Sequence, residues 1–231
     1  MKPLDILFIH PNAAHKIYQD LSKDFSAIEP PIWAGMLASH CLKRGLGAEI
    51  LDCEALQLDD AQAAKKIQEL NCRVACFVVY GQQPSASSQN MEGAVSLAEH
   101  LRKTAPQIKI LFVGGHVSAL PREVMERHSC VDMVCQNEGV YTISNLLKTN
   151  LRDKLDCVNG LGFRENGRIV LNKASPIVNK EDLSAQLPGM AWDKLPLKKY
   201  RTALWHALPN NCERQPFAAL YTSLGCPFRC S

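Results

Sequence analysis

The 231-residue chain has 46% hydrophobic residues, 21% charged residues and a formal net charge of +3, which suits one large α/β domain or one domain plus part of another. That charge is too small and too evenly spread for a nucleic-acid surface, and no apolar run of about 18 residues offers a membrane span. Lys2, Pro3 and Asp5 leave no basic-then-apolar leader, so the expectation is a cytoplasmic protein without nucleic-acid or membrane partners.

Apolar runs and amphipathic stretches alternate over residues 1–150. Leu4 to His10 reads as a first strand ending at Pro11. Pro30–Pro31 opens a helix that closes at Gly45, with Trp33, Met36, Leu37 and Cys41 on one face. Ala48 to Asp52 is a second strand, Asp59 to Leu70 a helix, and Arg73 to Gly81 a continuously apolar third strand buried on both faces. A helix around Met91 to Lys103, a strand from Ile108 to Gly115, a strand from Val131 to Cys135 and a helix begun by Glu138–Gly139 complete the series. Repeated βα units imply a doubly wound, five-stranded parallel sheet of the flavodoxin-like or Rossmann-like kind. Residues 151–216 read as a hairpin, turning at Glu165-Asn166-Gly167, and an irregular linker. Phe217 to Ser223 reads as one more strand, opening the segment 217–231.

Ligands of such sheets lie beyond the carboxyl ends of the strands, near the point where strand order reverses. Those ends read HPNAAH, YGQQPSASSQ, GGHVSALP and QNEG, all polar or glycine-rich. Gly114 and Gly115 allow close backbone approach to a ligand, Ser85, Ser87 and Ser88 offer hydroxyls, and Glu138 and Gly139 open a helix facing the same edge. Each has a plain structural alternative: an αβ turn, a solvated loop, a capping carboxylate.

Ten cysteines without a leader do not suggest a disulfide framework. Most, including Cys53, Cys72, Cys76 and Cys135, lie in apolar runs where a thiol packs as a small hydrophobe. Cys72 and Cys76 share CxxxC spacing, but along a strand that separation is roughly 13 Å, too long for one small cluster. Cys226 and Cys230 have the same spacing in a loop turned by Gly225 and Pro227, where both thiolates can converge.

YTSLGCPFRCS, with Phe228 after the proline, resembles the opening of the CxxxCxxC signature of radical S-adenosylmethionine (SAM) proteins; the third cysteine would fall at position 233. PPIWAGMLASHCLKRGLGAEILDCEA, GGHVSALPREV, DMVCQNEGVYTISNLL and MAWDKLPLKKY are similar, in that order, to segments of the cobalamin-binding radical SAM family. The resemblance implies a cobalamin-binding domain over 1–150, a hairpin and linker over 151–216, and the first strand and cluster loop of a truncated barrel over 217–231, loosely packed without its neighbours. It implies cobalamin at Tyr80, Gly81, Gln82, Ser85, Ser87, Gly114, Gly115, His116, Glu138 and Gly139. It implies a 4Fe–4S cluster on Cys226 and Cys230, with the open iron chelating SAM. The loop after the first strand lacks the DxHxxG of histidine-ligating cobalamin domains, so none of His10, His15 and His116 is expected on cobalt. The activity implied is methyl transfer to an unactivated carbon or phosphorus of a small-molecule or peptide substrate, with flavodoxin or ferredoxin as electron donor. Cyclisation or rearrangement with the same cofactors, a corrinoid-binding module without radical chemistry, and a flavodoxin-like nucleotide or flavin domain are the alternatives. The lack of GxGxxG after the first strand speaks against a dinucleotide.

Overall fold

The computed structural model describes residues 4–13, 26–81, 84–204 and 213–225, with no side-chain placement at 84 and 85. Leu4–His10 forms β1, Ile32–Leu42 α1, Ala48–Asp52 β2, Asp60–Leu70 α2, Cys72–Val79 β3, Pro84–Thr104 α3 and Lys109–Gly114 β4. Two short helices follow, α4 (Gly115–Ala119) and α5 (Pro121–Arg127), then β5 (Met133–Cys135) and α6 (Val140–Leu147). β6 (Leu161–Glu165), β7 (Arg168–Leu171) and the single-turn α7 (Leu183–Gln186) complete the regular elements.

The sheet has seven strands in the order β2-β1-β3-β4-β5-β6-β7. β1 to β5 are mutually parallel, in the order β2-β1-β3-β4-β5 with β3 at their centre, as the alternating pattern implies. Strand order reverses between β1 and β3. Alternation along each strand feeds two cores. Ile6, Phe8, Val74, Cys76 and Leu111 face α1 and α6, while Leu7, Ile9, Ala75, Phe77 and Phe112 face α2, α3 and α5. Phe77 and Phe112 pack in a tilted pair with centroids 5.0 Å apart and 37° between planes, and each ring's burial stabilises the fold by roughly 2 kcal/mol. α2 begins with a reciprocal capping box between Asp59 and Gln62 and buries only Ala63, Ala64 and Ile67, an amphipathic surface helix.

The hairpin is not a separate appendage. β6 pairs antiparallel with β5 (Met133↔Phe163), extending the expected five strands to seven. Asn166 and Gly167, both at positive φ, make the tight turn that joins β6 to β7. β5 without β6 would leave a row of unpaired amides and carbonyls at the sheet edge; the hairpin supplies their partners.

Residues 173–204 form a strap across the α1 side of the sheet. It begins at the β5 end, where Asn137 Nδ2 donates to Ser175 O at 2.6 Å and Val178 N to Glu138 Oε2 at 2.7 Å. It continues to α1, where His40 Nδ1 bonds Gln186 O at 2.5 Å and Ala191 N donates to Gly35 O at 3.1 Å. It then reaches β2, where Lys194 pairs with Glu49 at 2.7 Å. Covered by sheet and strap, α1 is buried almost all round (Ile32, Ala34, Gly35, Met36, Leu37, Ala38, His40, Cys41) rather than on the single face its spacing implies.

Phe217 to Ser223 does not form a strand. Phe217 N donates to Tyr200 O at 3.1 Å, and beyond it the chain runs without regular structure to Gly225, with Leu220 65% exposed. A strand exists only through its neighbours, and among the described residues none pairs with this segment.

Candidate functional site

The carboxyl ends of β1, β3, β4 and β5 lie along one edge, as parallel pairing requires. α1 starts at this edge, so its first-turn Trp33 meets Tyr80 at the β3 end. The rings stack at 4.6 Å with 20° between planes. The Tyr80 hydroxyl donates to Asn137 O at 3.2 Å, and Asn90 Nδ2 donates to Tyr80 O at 2.9 Å. Burial, aided by nearby groups including Cys135 and Glu138, drives the Tyr80 hydroxyl well above its ordinary range, so it stays a neutral donor. Tyr80 thus ties the β3 loop to the β5 loop.

Ser87 has a similar duty. Its hydroxyl, buried in α3, donates to Val79 O and accepts the His116 amide at 2.9 Å, joining the ends of β3 and β4. The next residue, Ser88, is exposed, and its Oγ meets His116 Nδ1 at 3.0 Å. The His116 ring is therefore oriented, and its Nε2 takes no hydrogen bond from the described residues.

The glycines divide. Gly114 is in extended backbone (φ 164), and a Cβ there would stand 2.2 Å from Val79 O; its bare α-carbon is demanded by the β3–β4 pairing. Gly81 lies against Ala86 and Gly139 against Val113, with would-be Cβ contacts of 2.1 and 2.8 Å, so both are also explained by close internal packing. Gly115 is different. It is exposed, and a Cβ would meet only Ser87, at 3.6 Å. Glu138 spends one carboxylate oxygen on the strap amide of Val178. Ser85 lies in the first turn of α3. Gln82, His15, Cys226 and Cys230 lie outside the described residues.

The edge therefore offers an exposed glycine backbone beside a half-buried, oriented histidine, at the end of β4, one strand beyond the reversal point. Gly115 leaves the edge open to close approach by a ligand, and His116 Nε2 is available for a polar contact. His10 closes the β1 end with Nε2 3.3 Å from Glu54 Oε2, so that nitrogen is already committed.

The described cysteines do not make a metal centre. Cys41, Cys53, Cys72, Cys76, Cys130 and Cys135 are buried free thiols; burial pushes Cys41 and Cys72 up to about 12 and Cys130 to about 11, despite nearby arginines at Cys41 and Cys130. Cys157 is exposed and alone, and among the described residues no group of three or more His, Cys, Asp or Glu could hold a metal ion. No helix among them is long and apolar enough to cross a membrane.

Sequence reading missed the role of Trp33, treated as a core-facing residue, and of Asn137, whose side chain and carbonyl bind strap and Tyr80. An aromatic residue just after the Pro30–Pro31 helix start was the available signal for the first. For the second, Asn137 is a non-glycine residue at positive φ (56°), which no local pattern announces.

A family model described as B12 binding domain matches residues 20–147, more than half the chain. An uncharacterised methyltransferase of Pyrococcus horikoshii is 25% identical over 231 residues, covering 100% of this chain and 45% of that protein. The anaerobic magnesium-protoporphyrin IX monomethyl ester cyclase of Cereibacter sphaeroides is 24% identical over 238 residues, covering 98% and 34% respectively. The chain thus spans less than half the length of these curated relatives. Among solved structures, the cobalamin-dependent S-adenosylmethionine radical enzyme OxsB with aqua-cobalamin bound superimposes with a TM-score of 0.59 at 19% identity, over 82% of this chain and 24% of OxsB. The radical S-adenosylmethionine methyltransferase TsrM from Kitasatospora setae, with cobalamin and a [4Fe-4S] cluster bound, gives 0.56 at 14% identity, over 78% of this chain and 30% of TsrM. At those identities the likeness is one of fold.

Proposed function

The chain belongs to the B12-binding domain family, and from that premise we propose that it holds the cobalamin of a cobalamin-dependent radical SAM methyltransferase acting on an unactivated carbon or phosphorus. The observation that carries the cobalamin reading is the strand-end edge itself: an exposed Gly115 and an oriented His116 at the end of β4, one strand beyond the strand-order reversal and within the matched span. When bound, cobalamin supplies a carrier for a methyl group, and the protein orients it and excludes competing reactions.

In this reading Gly115 leaves room for the corrin, while His116 Nε2, held by Ser88 at Nδ1, gives a hydrogen bond at the ring's periphery. Tyr80, Ser87, Gly81, Gly114 and Gly139 hold the loops of β3, β4 and β5 in register beneath it. Ser85, in the first turn of α3, and Gln82 are proposed as additional contacts. Glu138 acts through the strap rather than directly. Cobalt takes no histidine: His10 is committed to Glu54, and His116 and His15 are not its ligands.

Cys226 and Cys230 are proposed as two thiolates of a 4Fe–4S cluster that binds SAM, completed by a cysteine at position 233 and reduced by a flavodoxin or ferredoxin in the cytoplasm. A small molecule or peptide is the substrate class. The similarity to a cyclase favours one second reading, ring formation with the same cofactors.

The test of cobalamin binding is co-elution of hydroxocobalamin with the protein in gel filtration, with a base-off spectrum that survives His116→Ala. Gly115→Trp, which puts a large ring over the open backbone, should abolish co-elution while the protein stays folded. A cobalt spectrum changed by a histidine substitution alone would overturn the ligand assignment.

A further inference from the structure

Tyr200 is the largest fully buried side chain, and it comes from the strap rather than from the sheet. Its hydroxyl donates to Asp52 Oδ2 at 2.8 Å, while Asp52 Oδ1 accepts the Ala55 amide at 3.0 Å. Asp52 is 1% exposed and is the register partner of His10 across β1 and β2. His10 in turn meets Glu54 at 3.3 Å. Two further backbone links converge here: Ile28 and Arg201 exchange hydrogen bonds of 2.9 and 3.0 Å, and Phe217 N donates to Tyr200 O. The cluster is thus where the strap, the segment before α1 and the segment after the strap are fastened to the strand ends.

We propose that His10, Glu54, Asp52 and Tyr200 form a proton-dependent latch that fastens the strap to the strand ends and thereby sets the shape of the cofactor edge. The last clause rests on the cobalamin reading above. Among the described residues, the titratable groups that act on His10 and Asp52 are each other, Glu54 and, for Asp52, Tyr200; the buried Cys53 thiol next to Asp52 is raised by burial and by Asp52 and Asp60, and Glu49, further back on β2, is held by Lys194 at 2.7 Å. Burial lowers His10, but the Glu54 hydrogen bond and the charges of Asp52 and Glu54 outweigh it, leaving His10 above its ordinary 6.5. Burial raises Asp52 above its ordinary 3.8 even though His10, the Ala55 amide and Tyr200 oppose it.

The signs agree. His10 and Asp52 each hold a proton more tightly closed than open, so the latch is firmest on the acid side and weakens as pH rises through the folded-state value of each. Loss of the His10 proton removes the cation that faces the half-buried Glu54 beside the buried Asp52. No change in covalent bonding is involved.

The test is amide hydrogen exchange of strap peptides spanning 187–204, corrected for intrinsic rates, at about pH 6 and about pH 8.5. Strap protection should fall with rising pH, by about tenfold for each pH unit over which the closed cluster keeps a proton the open one has released. Peptides of β3 and β4 should not follow. His10→Gln should flatten the pH dependence, and Tyr200→Phe should lower strap protection at both pH values. Strap protection independent of pH, or falling in step with β3 and β4, would overturn the latch. Methylcobalamin affinity, read from its visible spectrum over the same range, tests the link to the edge. Affinity that tracks strap protection supports the link, and affinity unchanged between the two strap states refutes it. If methylcobalamin binds no form while strap protection still follows pH, the cofactor reading fails and the latch stands without its link to a cofactor.

Discussion

Gly114→Ala and Gly115→Ala differ by one position and should differ sharply in effect. At 114 the new methyl carbon would stand 2.2 Å from Val79 O and 2.7 Å from Val79 C, and both belong to the backbone of the central strand β3. Neither can rotate aside, so β3 and β4 must separate where Val79 pairs with Gly114. Overpacking of this kind costs about 3 kcal/mol, and the lower chain entropy of alanine in the unfolded state returns about 0.5–1 kcal/mol. The φ of 164° is ordinary extended backbone and adds no strain. The net loss of about 2 kcal/mol corresponds to a Tm lower by roughly 4–8 °C for a chain of this size. At 115 the methyl meets Ser87 at 3.6 Å, an ordinary contact, and stability should change by less than about 0.5 kcal/mol. Scanning calorimetry of both variants beside the parent protein decides it. A Gly114→Ala protein as stable as its parent, or a Gly115→Ala protein as damaged as Gly114→Ala, would refute the assignment of Gly114 to strand pairing and Gly115 to an open edge.

Trp33→Ala removes one ring of the stack with Tyr80 and should cost about 2 kcal/mol, read as a lower midpoint in urea with an unchanged slope. Asp59→Ala breaks the capping box of α2 and should cost about 1 kcal/mol in the same assay. His40, 1% exposed, is held below its ordinary 6.5 by burial, with Arg44 adding to the effect and the Gln186 carbonyl opposing it. The unfolded chain therefore takes up this proton first, and stability should fall as pH drops below 6.5 toward the folded value; His40→Gln should show a shallower acid-side loss in urea titrations at several pH values. Anaerobic reconstitution with iron and sulfide of a version extended through a cysteine at position 233 should give a brown, SAM-cleaving protein. Cys226→Ala or Cys230→Ala should abolish both the chromophore and the cleavage, and a colourless extended protein would leave the corrinoid-module reading in place.

Local pattern carried the central architecture. The seven-residue apolar run of β1, the continuous apolar run of β3 and the punctuation around α1 and α2 follow from side-chain periodicity and end signals that act within a few residues. The parallel order and the strand-end edge proposed for a ligand follow from these, because βα repeats cross over with one hand. Tertiary structure alone decided the rest. The hairpin was legible in Asn166–Gly167, but its addition to the sheet depended on the open side of β5, which no property of the hairpin encodes. Phe217 to Ser223 has a strand's composition and is not one, because pairing belongs to two segments and the second is not among the described residues. Gly114 and Gly115 are indistinguishable in a sequence; only the position of the Val79 carbonyl makes one a packing requirement and the other an open surface. Asp52 and Tyr200 are 148 residues apart, and their hydrogen bond exists because the strap returns to the strand ends. Short-range order is written in neighbouring residues, whereas a buried polar contact is selected only when the folded chain removes water from both of its partners.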